Sequence, residues 1–331
     1  MNSKFPDRAI HGGTGKFQME KSHKNFLDFS ASVNPYPPKF KWRCERKSLA
    51  RYPDDNYTLL KEAIAKTYHR DPEEICVGNG SIELIRVFCA VVFRDSGRFT
   101  YERPTFGEYD LSAQLAGASF TASPKNADAV FVCNPNNPTG HLKRKDQVLK
   151  MLDSLKRDAF LFCDEAFIDL ADPSQSLSDV MDPQVFVLQS LTKSFAVPGL
   201  RFGFGFGNPD LVRKIETARS PWAVNAFAES YAITALKHRD SLAKSRLQIA
   251  RERSFLMNTI AGLGLLPSPS SANYILIDYG KTSSPLCERL LKKCILVRNC
   301  ASFGLPSSIR VAVRNHKENR ILVEALSECL P

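Results

Sequence analysis

Between residues 74 and 191 the chain alternates short, wholly apolar runs with longer stretches whose apolar positions recur at helical spacing. EICV (74–77) precedes SIELIRVFCAVVF (81–93), and AVFVCN (129–134) precedes KDQVLKMLDSLKR (145–157). AFLFCDEAF (159–167) and VFVLQSL (185–191) follow. Apolar runs without polar alternation are buried on both faces, so the pattern predicts a mostly parallel sheet with helices on either side. Long charged helices are predicted over roughly 210–262. Strand and helix patterns then return in ANYILIDY, PLCERLLKKC, ILVRNC, IRVAVRN and KENRILVEALSECL. They predict a second, smaller α/β unit that shares its core with the N-terminal segment.

Composition narrows the class. At 331 residues and 43% hydrophobic content the chain can bury one large core and a smaller one. No apolar run approaches the ~18 residues of a spanning helix, and MNSKFPDRAIHGG carries no signal-peptide stretch. A soluble, cytoplasmic protein without membrane contact is therefore expected. The nine cysteines form no CxxC pair, and most have apolar neighbours, which predicts reduced, buried thiols and no metal site. The net charge of +10 comes from scattered residues, only mildly clustered in LKRKD (142–146) and CERK (44–47). No nucleic-acid-binding signature accompanies it, so a surface favouring small anionic substrates is expected instead.

In an open α/β sheet, ligands bind beyond the carboxyl ends of the strands. After EICV come Gly78, Asn79, Gly80 and Ser81, leading into a helix whose free N–H groups suit a phosphate. GFGFG (203–207) lacks the glycine spacing and context of a dinucleotide site. NPNNPTG (134–140) is a turn punctuated by two Asn-Pro steps, with Asn137 a rigid amide between prolines. Asp164 ends an apolar strand and needs a cationic partner there. SLTKSFAVPGLRFG places Lys193 among Ser190, Thr192 and Arg201.

These residues fit one chemistry. Lys193 would bond covalently to an aldehyde cofactor. Asp164 would keep a cofactor ring nitrogen protonated, and Phe106 in RPTFGEY would stack on that ring. Ser190, Thr192, Arg201 and the Gly80–Ser81 amides would hold a cofactor phosphate. A simple phosphate site would explain the lysine and hydroxyls equally well.

The succession VGNGSIEL, RPTFGEY, CNPNNPTG, FCDEAFIDL, SLTKSFAVPGLRFG resembles the fold-type-I pyridoxal-phosphate enzymes. Within them it looks most like the branch of histidinol-phosphate aminotransferases and threonine-phosphate decarboxylases. The likeness runs from HGG (11–13) to IRVAVRNHKENRILVEAL. It implies a large domain with a mostly parallel sheet (46–235), a smaller C-terminal α/β domain (236–331) and an N-terminal arm (1–45) that joins the small domain. It also implies pyridoxal 5'-phosphate and a homodimer with shared active sites, Tyr52 of RYPDDNY reaching the cofactor phosphate of the other subunit. HGG…LDFSASVNPYPP (11–38), SPWAVNAFAE, ILVRNCASF and Phe167 in DEAFID lean toward the decarboxylase that makes aminopropanol phosphate for the cobalamin nucleotide loop. Aminotransferases usually carry a tyrosine at the position of Phe167.

By the same resemblance, Arg310 pairs with the substrate carboxylate, and Arg298, His11 and Gly12 receive the substrate phosphate. Asn137 bonds the cofactor's phenolic oxygen and lies against the substrate. Ser32 stands where the decarboxylases usually have a substrate-contacting asparagine, which opens the site to serine phosphate beside threonine phosphate. A missing methyl is worth only ~1–3 kcal/mol of discrimination. The aminotransferase is the alternative reading. A DNA-binding regulator on this fold is a third, disfavoured because HGG begins by residue 11.

Overall fold

The computed structural model describes residues 5–13, 20, 25–94 and 96–330. A seven-stranded sheet forms its centre, ordered Ile75–Gly78, Gly203–Phe206, Val185–Gln189, Phe160–Asp164, Ala129–Cys133, Arg98–Tyr101 and Ser119–Phe120. Only Gly203–Phe206 runs antiparallel to its neighbours. GFGFG is thus a buried strand inside the sheet rather than a loop beside a ligand.

Alternate residues of each strand face two different cores. Val130, Val132, Leu161, Cys163, Val185 and Val187 join an aliphatic core on one face. Phe131, Phe162 and Phe186 face the other, a cluster of interlocking rings closed by Phe88 from the Ser81–Phe93 helix. Both faces are dry, as strands without polar alternation require.

A smaller antiparallel sheet follows, ordered Arg298–Asn299, Ser308–Ala312, Tyr274–Asp278 and Leu266–Pro267. Beside it Leu27–Asp28 pairs in parallel with Ile295–Leu296, so an N-terminal segment is built into C-terminal structure.

The helices expected over 210–262 form, whereas the one expected over 145–157 is shortened. The 210–262 region is divided into Pro209–Ala218, Ala226–Leu236 and Leu242–Gly262. Asn208 and Asn225 cap the first two by accepting from Leu211 N and Ala228 N. The 145–157 stretch is α-helical only over Lys145–Leu149 and continues as a 3₁₀ turn over Lys150–Ser154. Leu149, Leu152 and Leu155 pack on the core. Their three-residue spacing aligns on one face of a 3₁₀ helix, so packing favours the tighter winding.

Candidate active site

Cys133, Asp164 and Leu188 are adjacent in register on three parallel strands, so the residues that follow them emerge together. They open into a cavity of about 1240 Å³. Lys193, Asp164, Asn137, Phe106, Thr192, Ser81 and Arg201 line it from the large sheet. His11, Gly12, Ser32, Arg298 and Arg310 line it from the N-terminal segment and the small sheet. Of the residues expected to form the site, Gly80, Ser190 and Tyr52 do not line the cavity.

Lys193 lies on the short turn Leu191–Ser194 after the Val185–Gln189 strand. Its carbonyl accepts from Asn34 N at 2.9 Å, and Asn34 Nδ2 donates to Ser194 O at 2.7 Å. Asn34 thereby clamps the lysine turn from a distant segment. The ammonium lies 5.8 Å from the centre of the Phe167 ring. Burial, followed by the nearby Arg310 and Arg201 charges, pulls the Lys193 pKa down to about 8 against the opposing influence of Asp164.

Asp164 is buried. Its Oδ1 accepts from Ala166 N at 3.0 Å and its Oδ2 from Tyr109 Oη at 2.8 Å. Burial raises its pKa, while these bonds and Lys193 act in the other direction. Tyr109 and Asn34 were both missed by sequence reasoning. The signal for Tyr109 was its place three residues beyond Phe106, one helical turn onward.

At the other end of the cavity, Arg201 terminates the Pro198–Leu200 turn with a left-handed φ of 57°. A Cβ at Gly80, itself at φ 81°, would collide with the Arg201 guanidinium, so glycine is what permits this approach. Ser190 Oγ lies 2.7 Å from Thr192 Oγ1 and accepts from Thr192 N, which places it behind Thr192.

The wall formed by the N-terminal segment and the small sheet contains two buried arginines. Arg310 donates to Ser30 O at 3.0 Å and to Asn137 Oδ1. That bond leaves Asn137 Nδ2 as the half of the amide free for a ligand. Arg298 donates to Asn299 O, Ile10 O and Ser302 Oγ at 2.7, 2.7 and 2.6 Å. Neither has an acidic partner among the described residues, and burial lowers the pKa of both. Ser32 Oγ and Arg310 Nε are buried without any hydrogen-bond partner. Tyr52 is 79% exposed and leans on Trp222 with ring centres 4.4 Å apart and planes tilted by 32°, away from the cavity of its own chain.

The donor set fits pyridoxal 5'-phosphate: a buried amine of lowered pKa, a buried carboxylate braced by a phenol, an aromatic ring, and an arginine beside a glycine at a helix start. Ser32 Oγ and Arg310 Nε are buried polar atoms with no protein partner, free to meet a ligand in the cavity. Among the described residues no cluster could hold a metal, and no helix is long and apolar enough to cross a membrane.

The model of the aminotransferase class I and II family matches residues 24–126 and 121–326. A histidinol-phosphate aminotransferase of Anaeromyxobacter sp. (strain Fw109-5) is 31% identical, covering 84% of this chain and 83% of its own. A putative threonine-phosphate decarboxylase of Caldanaerobacter subterraneus is 32% identical over 89% and 88%. The aminotransferase name recurs among further relatives. The crystal structure of the histidinol-phosphate aminotransferase from Clostridium acetobutylicum superposes with a TM-score of 0.83 at 29% identity, covering 91% of this chain and 98% of its own.

Proposed function

We propose, from the premise that the chain belongs to the class I and II aminotransferases and works with pyridoxal 5'-phosphate, that it decarboxylates O-phospho-L-threonine to aminopropanol phosphate and CO2, a step that feeds the cobalamin nucleotide loop. The observation that carries this reading is the pair of buried guanidiniums, Arg298 and Arg310, which face the Lys193 cavity without carboxylate partners. A buried cation is costly unless paired, so the site calls for a ligand with two anionic groups. A phosphorylated amino acid has both.

Lys193, Asp164, Asn137 and Phe106 would hold the cofactor ring, and Ser81, Thr192 and Arg201 its phosphate, with Gly80 and Ser190 supporting them. Bound there, the cofactor supplies an electron sink. Arg310 holds the substrate carboxylate, while Arg298, His11 and Gly12 take the phosphate. With the carboxylate held by Arg310, the bond from Cα to the carboxylate carbon would break, the carbon departing as CO2 and the bonding pair staying behind. Lys193, whose pKa burial brings down to about 8, returns one proton to Cα. Phe167 has no hydroxyl to offer the cofactor oxygen, which leaves Asn137 Nδ2 as the donor from this chain.

Histidinol-phosphate aminotransfer is the second reading, and the naming of most relatives favours it. The same cavity serves it, with Arg310 receiving a carboxylate of glutamate or 2-oxoglutarate. The two reactions separate in one experiment. Cofactor-loaded protein is incubated with O-phospho-threonine and no keto acid, and products are followed by NMR. Aminopropanol phosphate is expected over many turnovers, with O-phospho-serine also consumed because a missing methyl is worth only ~1–3 kcal/mol of discrimination. Inert phosphothreonine, with glutamate formed from histidinol phosphate and 2-oxoglutarate, would identify the aminotransferase instead.

A further inference from the structure

Glu108 is absent from every role assigned above, yet it is buried directly behind the cavity wall. Its Oε1 lies 2.7 Å from His11 Nε2, and its Oε2 accepts from Arg86 Nη2 at 2.9 Å. It opens the Glu108–Leu115 helix, where the dipole favours a negative charge. The His11 bond, and after it the Arg86 bond, lowers its pKa against the effect of burial. An ionised carboxylate only accepts, so Nε2 of His11 is the donor to Glu108, and in the protonated ring Nδ1–H is the second donor, left for a ligand.

The chain around His11 is pinned as well. Arg298 donates to Ile10 O, and Gly13 N donates to Ser30 Oγ at 2.8 Å. A Cβ at Gly12 would collide with Ser30 O. The imidazole leans on Phe106 with ring centres 5.8 Å apart. With backbone and neighbours fixed, Glu108 is the contact that sets the orientation of the ring.

We propose that Glu108 is a positioning residue for substrate specificity: by accepting from Nε2 of His11 it turns Nδ1–H of the protonated ring to donate to the phosphate of the substrate, beside Arg298. This rests on the phosphorylated substrate proposed above, whichever of the two reactions follows. It predicts that Glu108→Gln, whose amide can donate or accept and so releases the ring orientation, raises KM for the phosphorylated substrate about tenfold, with kcat changed far less. Competitive inhibition by inorganic phosphate should weaken by a similar factor. In a double-mutant cycle, E108Q should add almost nothing in a His11→Ala background.

All measurements use the cofactor-loaded enzyme and whichever substrate it turns over. A wild-type enzyme that takes only histidinol phosphate refutes the decarboxylase reading but leaves this cycle intact. Additive effects of E108Q and H11A, or unchanged inhibition by phosphate, would overturn the role of Glu108. Should E108Q fail to load the cofactor, Glu108→Asp, which keeps the charge on a shorter arm, serves in its place with the same expected and overturning results.

Discussion

Lys193 shows how much of the chemistry resides in single residues and their surroundings. A lysine in water is almost wholly protonated at neutral pH and a poor nucleophile. Here burial and two arginines bring its pKa to about 8. The neutral amine therefore predominates above pH 8 and falls ~tenfold for each unit below it. Covalent attachment of pyridoxal phosphate to the cofactor-free protein should accelerate with pH up to about 8 and then level off, followed by absorbance after mixing. A rate that keeps climbing past pH 9 would mean an ordinary lysine. At this scale the sequence was informative where a charge interrupts an apolar run, as at Asp164 and Lys193. For Tyr109 it offered only the spacing from Phe106, and to Glu108 it assigned no role. Their partners, Asp164 and His11, are 55 and 97 residues away in the chain. Only tertiary folding brings these pairs together.

Elements show the same division. The prolines of NPNNPTG mark a turn, but not which asparagine faces the ligand. Asn134 uses its amide on Lys143, donating to its carbonyl at 3.0 Å and accepting from its N–H at 2.8 Å. Asn136 donates to Pro104 O and Thr139 Oγ1 at 3.0 and 2.9 Å. Asn137 alone of these three lines the cavity. The paired acids of DEAF divide in the same manner. Asp164 enters the site, whereas Glu165 points into the core and accepts from Leu177 N at 2.6 Å and Gln189 Nε2 at 2.7 Å, and also from Ser176 Oγ. That carboxylate ties the loop around residues 172–178 to the end of the strand carrying Asp164. Glu165→Ala would leave these buried donors unpaired, at a cost of about 3 kcal/mol. The thermal unfolding midpoint of the cofactor-loaded protein should fall clearly below that of wild type. An unchanged midpoint would show that the loop is held by its other contacts.

For the whole molecule, the cavity joins the large sheet to the N-terminal segment and the small sheet, yet of the expected contributors outside it Tyr52 alone lies on the exposed surface. Tyr52 and Trp222 form an aromatic pair on the surface, 79% and 46% exposed. A polar-tipped ring of that kind suits an interface where its apolar body is buried and its hydroxyl reaches a partner. If Tyr52 completes the phosphate end of a second subunit's site, each site takes Lys193 from one chain and Tyr52 from the other. Lys193→Ala homodimers should then be inactive and Tyr52→Ala homodimers deficient at limiting cofactor. Unfolded together and refolded as a mixture, the two variants would form hybrids with one wholly native site and one doubly defective site. Random pairing makes half of all dimers hybrid, so about a quarter of wild-type activity should return. Sedimentation of the same samples reports whether dimers form. Recovery in mixed dimers would place Tyr52 across the interface, whereas dimers that regain nothing on mixing would confine the working site to one chain.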